Sequence, residues 1–564
     1  MDRFAARSAA SSKLEELGVL TKVEDYKNKV GFSERADVPI EPRLSEQWFL
    51  KYPSQEQARD CVSNGSMKFY PERWSKTYDY WMEGLQDWCI SRQLWWGHRI
   101  PVWYRGDEIY CGLNSPEGEG WEQDSDVLDT WCSSWLWPFA TMGWPDETPT
   151  LKKFYPTTDL VTGPDIIFFW VARMIMAGYE WKGDLPFRNV YFTGIIRDKK
   201  GRKMSKSLGN SPDPLELISK FGADALRFGT MRSAPLGQDV LFDEKDVELG
   251  RNFCNKLWNA CRFRQMQGGL TEGEIRPELL TSDDRWILLR LGQAIDEVTA
   301  AFEAYRFTDA TATLYRFFWS EYCDWYIESC KAVFFGNDQD RKANVLAVVD
   351  FVMGNMLRLF HPFMPFITEE LWHGLGFSSD MPNDQGGQTI MTACWPKPFD
   401  SNFNNLYGLD STVDRLVGAK HDLVTQGRNL RAAYNIPFNK KVIYCFTPSG
   451  ELDELEVEVI KVLLNAESVS VGVDVSKGTP RVSSALGDLY LPLEGLIDFE
   501  AEKSRLTKEL NKIVKEIEKV QTKLSNPKFT ERAPAEVLDE QRERLAEWQT
   551  KHGQLTEALD NLSV

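Results

Sequence analysis

The spacing of apolar residues changes along this chain, and that change restricts it to a fold with several separately packed regions. With 564 residues the chain is too long for one hydrophobic core. Between residues 37 and 210, short apolar runs alternate with helical patterns and Gly/Pro turns, which predicts an α/β region with a parallel sheet. From 281 to 425, the apolar residues recur at helical spacing, which predicts an all-α bundle.

The C-terminal segment repeats a different pattern, in which apolar residues step by four and three positions as in the seam of a coiled coil. In the first half of the segment these residues are Leu506, Leu510, Ile513, Ile517, Val520 and Leu524. A loop with Pro527 and Pro534 interrupts the step, which then resumes and ends at Leu562. We therefore expect an antiparallel helical hairpin. Its lysines that fall largely off the seam are Lys508, Lys512, Lys515, Lys519 and Lys523.

Composition excludes several classes of function. The net charge of −18 argues against binding nucleic acid through overall charge, although a local basic face remains compatible with it. The ten cysteines form no C-x-x-C pair and the five histidines do not cluster, so no metal site is expected. No apolar run approaches the roughly 20 residues that cross a bilayer, and the first residues lack the pattern of a secretory signal. We therefore expect a cytoplasmic protein without a membrane segment.

A short basic loop carries the strongest chemical signal, the run Lys203-Met204-Ser205-Lys206-Ser207. It follows an expected strand at 189–194. Ligands of α/β sheets bind at the carboxyl ends of strands, where two lysines could meet a triphosphate and stabilise the charge of departing pyrophosphate. Taken alone, five such residues favour a solvated basic loop, because short Lys/Ser strings are common.

The surroundings of the loop resemble the class I aminoacyl-tRNA synthetases, whose second signature is KMSKS. Further segments that resemble this family, in the expected order, are residues 87–93, 96–101, 126–131, 163–170 and 223–227. Segments that resemble the valine branch of the family are residues 41–49, 96–99, 168–173 and 524–529. The resemblance implies a valine–tRNA ligase that activates valine with ATP and transfers it to the 3′ end of tRNA(Val). It also implies Mg²⁺ with the ATP and a monomeric full enzyme.

The resemblance also assigns roles to individual residues. Lys206, and then Lys203, is expected to contact the ATP phosphates, with Ser205 and Ser207 in the same loop. Trp131 and Ile166 are expected to wall a small apolar pocket for the valine side chain. Asp165 is a candidate partner for the substrate amine or ribose, and Trp170 for the adenosine site. Without the family, ordinary core packing is the better explanation for Trp131 and Ile166. The alternatives are a helix N-terminal carboxylate for Asp165 and a buried structural indole for Trp170.

The fold class implied is multidomain, α/β plus all-α, with a partial Rossmann-like catalytic domain. The expected domains are a remnant of the editing-domain C-terminus (1–36), the second half of the catalytic domain with the KMSKS loop (37–210), a stem-contact region (211–280), a helical anticodon-binding domain (281–425), a small α/β junction (426–495) and a coiled-coil tRNA-binding hairpin (496–564). Just beyond the bundle, Arg428 and Arg431 are expected either to contact RNA or to lie on a solvated helix face.

One motif of the family is absent from these residues. Class I enzymes carry a first signature, a His-Ile-Gly-His-like string near the end of the first strand, and the sequence contains no such string in that context. We therefore expect this chain alone neither to activate valine nor to deacylate threonyl-tRNA. Three interpretations stay open. The chain is part of a longer valine–tRNA ligase, which we favour, or one half of a split synthetase, or a non-catalytic tRNA-binding protein.

Overall fold

The computed structural model describes residues 2–561 apart from 34–35, 43, 206–207, 270–272, 381, 383–385, 477–478, 495, 497–498 and 527–533. Packing divides the chain into two compact units. The first unit comprises Met1–Cys61, Asp79–Pro156 and Phe168–Pro186, and the second comprises Val62–Tyr78, Thr157–Ile167 and Phe187–Val564. Because each unit is built from separate stretches of chain, the six consecutive domains stay a prediction.

A three-stranded parallel sheet lies in the second unit. Its central strand, Phe187–Phe192, pairs with Lys68–Tyr70 on one side and with Thr157–Thr162 on the other. The alternate residues Val190 and Phe192 are fully buried, because successive side chains of a strand point to opposite faces of the sheet. This finding confirms the expected parallel sheet, with the key strand ending earlier than the sequence predicted.

Long helices pack around one apolar core in the same unit. The hydroxyl of Thr281 accepts a hydrogen bond from the Asp284 N–H at 3.0 Å, and the Asp284 carboxylate accepts from the Thr281 N–H at 2.9 Å. This capping box begins the helix Ser282–Glu303.

The bundle helices of this unit up to residue 407 are Pro214–Phe221, Ala223–Arg232, Glu244–Gln265, Ser282–Glu303, Phe307–Tyr315, the π-helical Arg316–Tyr326, Ile327–Phe334, Gln339–Phe360, Pro365–Gly374, Phe377–Asp380 and Ser401–Tyr407. Short 3₁₀ turns are Pro164–Ile166, Pro277–Leu279 and Ile390–Thr392. The expected all-α bundle is confirmed.

Within the described residues, one helix is long and apolar enough to span a membrane. It is Gln339–Phe360, with 22 residues, and 83% of its most apolar window is buried inside the protein. The sequence contains no uninterrupted apolar run of this length, and neither does this helix, because charged and polar residues interrupt it. Its polar residues, such as Asp350, are spaced widely enough to leave the helix apolar overall, as in a core helix that is surrounded by other helices.

A small mixed sheet follows the bundle. Its strand order is Ser468–Val471, Ile443–Pro448, Gly487–Tyr490 and Arg481–Ser484, with only the first pair parallel. The helices Ser411–Ala433 and Glu454–Leu464 pack on it. The first two strands contain β-branched runs, whereas the polar residues of the other two interrupt any apolar run.

Two long helices, Phe499–Leu524 and Ala535–Asn561, form the predicted hairpin. Of the predicted seam residues, Leu506, Ile513 and Val520 are at most 4% exposed and Leu510, Ile517 and Leu524 are half-buried, while the coiled coil itself stays a prediction. Glu509, early in the first helix, pairs with Lys551, late in the second, at 3.5 Å, so the helices are antiparallel. The five predicted lysines are exposed. The predicted residues Pro527 and Leu562 lie outside the described part of the chain.

The first unit is built from short antiparallel ribbons and helices. Its strand pairs are Phe49–Leu50 with Trp88–Cys89, Ser91–Arg92 with Val127–Leu128, and Val102–Arg105 with both Glu108–Cys111 and Glu122–Gln123. The helices within or leading into it are Arg3–Glu16, Gln55–Ser63, Arg73–Glu83, Thr130–Ser134, Trp137–Ala140, Pro149–Phe154, the π-helical Ile167–Ala172 and Arg173–Lys182. The parallel sheet expected within residues 37–210 lies in the second unit, whereas these strand pairs of the first unit are antiparallel. Antiparallel strands need only a tight turn, whereas parallel strands need a long crossover.

Candidate active site

The central strand of the parallel sheet leads into the Lys203 loop. At Gly194 a Cβ atom would lie 1.8 Å from the carbonyl oxygen of Gln238, so only glycine fits where these two backbone segments approach each other. The chain then forms the strand Ile196–Arg197, which pairs in parallel with Val240–Leu241 and bridges back to Lys203. Lys203 is thereby held beyond the carboxyl end of the sheet, where α/β folds bind ligands.

One carboxylate organises the loop. Asp198 accepts hydrogen bonds from the backbone N–H groups of Lys200 and Arg202, both at 2.9 Å, and from the side-chain amide of Asn210 at 3.1 Å. The Arg202 guanidinium adds an ion pair at 2.8 Å. These hydrogen bonds, led by that of Asn210, lower the pKa of Asp198, so the side chain stays ionised.

Asn210 connects this carboxylate to the signature residues. Its side-chain oxygen accepts from the Ser205 N–H at 2.9 Å, and its amide reaches the Lys203 carbonyl at 3.4 Å. These contacts hold the backbone at Lys203 and Ser205 without a ligand, and groups that are positioned in advance give strong electrostatic stabilisation. The predicted residues Lys206 and Ser207 lie outside the described residues.

The structure brings two predicted site residues together. The Lys203 ammonium lies 3.5 Å from the Asp165 carboxylate, and the two side chains are 63% and 55% exposed. Asp165 and the half-buried Ile166 belong to the 3₁₀ turn that follows the strand Thr157–Thr162. Such an exposed ion pair is weak, so a charged ligand can replace either partner.

An apolar cavity of about 670 Å³ opens beside Lys203 and Met204. The sequence did not predict it, because its walls come from distant parts of the chain. Arg227 closes one side, and its guanidinium donates to the carbonyl oxygens of Pro362 at 3.0 Å and Phe363 at 3.1 Å. These bonds tie the predicted stem-contact segment to the helical bundle.

A second cavity, of about 570 Å³, lies in the first unit and includes Trp131. The Trp131 ring is half-buried and stacks on Phe169, with ring centroids 6.2 Å apart. Asp129 accepts from the Trp131 N–H at 2.8 Å, which begins the helix Thr130–Ser134, and it also pairs with Arg92. Trp131 is thus presented to a cavity lined by aromatic and charged groups.

Arg173 is a member of this cavity that the sequence reasoning missed. Its side chain is buried, and its guanidinium lies 3.6 Å from the ring centroid of Trp88. It donates to the Tyr52 hydroxyl at 3.1 Å and to the Phe169 carbonyl at 3.3 Å. The available signal was an arginine between the apolar stretches 167–172 and 174–178, because a buried cation needs partners.

Trp170, a predicted residue, and His98 of the 96–101 segment have local roles. The Trp170 indole N–H donates to the Ser134 carbonyl at 3.1 Å, which anchors the ring. His98 hydrogen bonds through Nδ1 with the Ser133 hydroxyl at 2.9 Å. Trp131 and Trp170 belong to the first unit and Ile166 to the second, so the valine pocket that Trp131 and Ile166 are expected to share stays a prediction.

One RNA contact expected from the sequence has an internal role instead. Arg431 is 2% exposed and donates to the carbonyl oxygens of Leu464 at 3.3 Å, Pro437 at 2.6 Å and Phe438 at 2.9 Å. The expectation that it contacts RNA or lies on a solvated face is wrong. An arginine can satisfy several carbonyl groups at once, and here it joins two helices and a loop.

Family models match three consecutive parts of the chain. The model described as tRNA synthetases class I (I, L, M and V) matches residues 7–117 and 112–243. The model for the anticodon-binding domain of tRNA ligase matches residues 284–445, and that for the valyl tRNA synthetase tRNA binding arm matches residues 498–563. The matches include the Lys203 loop, most of the helical bundle and the helical hairpin.

Curated relatives match nearly the whole chain. The valine–tRNA ligase of Chlorobaculum tepidum is 45% identical over 97% of this chain and 62% of that protein. The valine–tRNA ligase of Bacillus subtilis is 42% identical over 100% of this chain and 64% of that protein. That of Thermotoga maritima is 44% identical, over 97% and 62%. The chain therefore spans a little under two thirds of the length of these relatives.

Solved structures of related fold include the Mycobacterium tuberculosis methionyl-tRNA synthetase bound by methionyl-adenylate. The match has a TM-score of 0.50 and 19% identity, and it covers 66% of this chain and 72% of that one. At this identity the likeness shows the fold alone.

Proposed function

We propose that this chain, which belongs to the valyl-tRNA synthetase family of the class I aminoacyl-tRNA synthetases, supplies the KMSKS side of the active site and the tRNA-binding surfaces of a valine–tRNA ligase. The observation that carries the proposal is the Lys203 loop, held by Asp198 and Asn210 beyond the carboxyl end of the parallel sheet. The identity of 42–45% with valine–tRNA ligases supports the choice of amino acid.

The proposed chemistry has two steps. An oxygen of the valine carboxylate attacks the α-phosphorus of ATP, the bond to pyrophosphate breaks, and valyl-adenylate forms. A ribose hydroxyl of the terminal adenosine of tRNA(Val) then attacks the valyl carbonyl carbon, its proton leaves to solvent, and AMP departs. Both steps depend on positioning and charge stabilisation rather than on a side-chain nucleophile.

The loop residues are proposed to act on the phosphates. Lys203 and Lys206 would neutralise charge that develops as pyrophosphate leaves, with Ser205 and Ser207 as hydrogen-bond partners. Within the described residues, no group of three or more His, Cys, Asp or Glu side chains is arranged to hold a metal ion. Mg²⁺ is therefore proposed to arrive with ATP, held mainly by its phosphates.

The other predicted residues are proposed to select the amino acid and nucleoside. Trp131 and Ile166 would bound the pocket for the valine side chain, which needs a small apolar space. Asp165, close to Lys203, would bind the substrate amine or a ribose hydroxyl. Trp170 would support the adenosine site from its anchored position.

The helical parts are proposed to bind tRNA(Val). The bundle would read the anticodon end, and the exposed lysines of the hairpin would follow the phosphate backbone. We also propose that the ligase is cytoplasmic and monomeric, as the family resemblance implies.

Valine-dependent ATP–pyrophosphate exchange by a ligase that carries this chain tests the proposal. Lys203→Ala should lower kcat by about a hundred- to a thousandfold, because a charge-stabilising donor is lost. Lys199→Ala is the matched control, since this exposed lysine of the same loop pairs with Asp243 at 3.1 Å. Equal losses in both variants, or a preference for isoleucine over valine, would contradict the proposal. Binding of tRNA(Val) without any exchange would indicate a non-catalytic protein.

A further inference from the structure

A tyrosine occupies a backbone position that usually belongs to glycine. Tyr305 follows the helix Ser282–Glu303 and has a φ of +56°, in the left-handed region. The Arg306 N–H donates to the Ala301 carbonyl at 2.8 Å, and the Tyr305 N–H donates to the Phe302 carbonyl at 3.0 Å. This is the Schellman arrangement of a helix end, at whose left-handed position glycine is usual. A bulky side chain there strains the backbone, so the contacts of its ring must offset that strain.

The Tyr305 side chain contacts all three strands of the parallel sheet. Its ring stacks on Tyr70, with centroids 4.1 Å apart, and on Tyr191, with centroids 5.9 Å apart. Its hydroxyl donates to the Asp159 carboxylate. Each of these partners lies on a different strand. Burial and the nearby Asp159 raise the pKa of Tyr305, so the hydroxyl keeps its proton and remains a donor.

The neighbouring helix adds a second contact to the same strand. The Phe307 ring packs against Tyr191 with centroids 5.5 Å apart, and against Phe302 of the preceding helix at 5.4 Å. Tyr191 lies on the central strand, which continues through Gly194 to the Lys203 loop. The turn between two bundle helices therefore contacts the same strand that leads into the Lys203 loop.

We propose that Tyr305 is a positioning residue that couples tRNA binding on the helical bundle to the Lys203 loop. The inference rests on the proposed function, in which the bundle binds the anticodon end and the loop serves catalysis. A movement of the helices Ser282–Glu303 and Phe307–Tyr315 on binding RNA displaces Tyr305. Its stacked ring then moves the central strand. Tyr305 acts through the sheet rather than through contact with a reacting atom.

The test compares two RNA substrates in a valine–tRNA ligase that carries this chain. Tyr305→Gly removes the ring but fits the left-handed backbone, so the variant should fold. Its kcat with full-length tRNA(Val) should fall about three- to thirtyfold, the range for residues that carry coupling between sites. Its kcat with an acceptor-stem minihelix, its KM for tRNA and its tRNA-free pyrophosphate exchange should stay at wild-type values. Tyr305→Phe, which keeps the stacked ring, should restore most of the lost rate.

A matched control relieves the same strain elsewhere. Asn465 ends the helix Glu454–Leu464 with a φ of +49°, and Asn465→Gly should leave the ratio of the two kcat values unchanged. Equal losses with full-length tRNA and minihelix, or a rise in KM alone, would overturn the inference. An unaltered ratio in Tyr305→Gly would overturn it as well. Failure of the proposed function is recognised separately, because the wild-type ligase would then give no valine-dependent exchange.

Discussion

The side-chain amide of Asn210 donates to the Asp198 carboxylate at 3.1 Å while its oxygen accepts from the Ser205 N–H at 2.9 Å. One asparagine thus connects Asp198, which precedes the signature run, to Ser205 within it. Ser205 takes part in these bonds through its backbone N–H and not through its hydroxyl, and Asn210 also reaches the Lys203 carbonyl, so we expect the bonds to hold the backbone of these two residues in place.

Replacing Asn210 should therefore slow the reaction without changing substrate affinity. In a valine–tRNA ligase that carries this chain, we expect Asn210→Ala to lower kcat for valine-dependent exchange about ten- to a hundredfold, because small displacements of a catalytic group cost that much. The KM for valine should stay unchanged. Asn64→Ala is the control, since Asn64 also holds a turn, through the Ser66 N–H at 2.9 Å. A loss confined to the valine KM would argue against a role in positioning the loop.

Much of the fold was predictable because its signals are local. The strand that ends before the Lys203 loop, the bundle helices and the hairpin seam each follow from the spacing of apolar residues. The exchange of chain between the two units was not predictable, because it depends on contacts between distant segments. The antiparallel ribbons of the first unit were missed for a related reason, since strands of two to four residues carry too little pattern.

The site was predictable only where a motif marked it. Lys203 was found through the signature loop, whereas the supporting Asp198 was not singled out. Arg173 was missed because its partners Tyr52 and Trp88 are far from it in the sequence. Arg431 was assigned to the surface because charge alone does not reveal that carbonyl oxygens surround it.

The buried position of Arg173 gives a stability prediction. Arg173→Met should lower the free energy of unfolding of the first unit by about 1–3 kcal/mol, through the lost hydrogen bonds and the contact with Trp88. Arg105→Met is the matched control. Arg105 also lies over an indole, Trp121, at 4.5 Å, but its side chain is 42% exposed, so we expect less than about 1 kcal/mol. Thermal unfolding followed by near-UV circular dichroism measures both. Equal shifts would mean that burial adds nothing to the interaction.

The hairpin lysines give a prediction on tRNA binding. Lys515, Lys519, Lys523 and Arg544 line one cleft between the two helices. Lys515→Ala combined with Lys523→Ala should weaken binding of tRNA(Val) and reduce the slope of log affinity against log salt by about 1–2, as each lost phosphate contact does. Filter binding over a range of salt concentrations measures the slope. Lys13→Ala, on the exposed helix Arg3–Glu16, is the control. An unchanged slope would place the RNA elsewhere.

The last prediction concerns His421, whose ring stacks on Trp325 with centroids 3.9 Å apart and meets Trp286 edge-on at 4.9 Å. Burial, with the charges of Lys420 and Arg428, lowers its pKa from 6.5 to about 3. The folded protein therefore holds His421 neutral, while the unfolded chain takes up a proton as the pH falls below 6.5. Its contribution to stability is complete above that pH and is lost progressively between pH 6.5 and pH 3.

Between pH 7 and pH 5 this one group should cost about 2 kcal/mol of unfolding free energy. His421→Phe keeps an aromatic ring between the indoles but cannot bind a proton. Between pH 7 and pH 5 this variant should therefore lose about 2 kcal/mol less unfolding free energy than the wild type. Urea unfolding at several pH values gives the slope of unfolding free energy against pH for each protein. The two slopes can be compared whatever the absolute stability of the variant. His373→Gln is the control, because His373 is exposed and pairs with Glu369. This variant should keep the change in unfolding free energy that His421 causes between pH 7 and pH 5. If the wild type and His421→Phe lost stability in parallel, His421 would have to titrate equally in the folded and unfolded states.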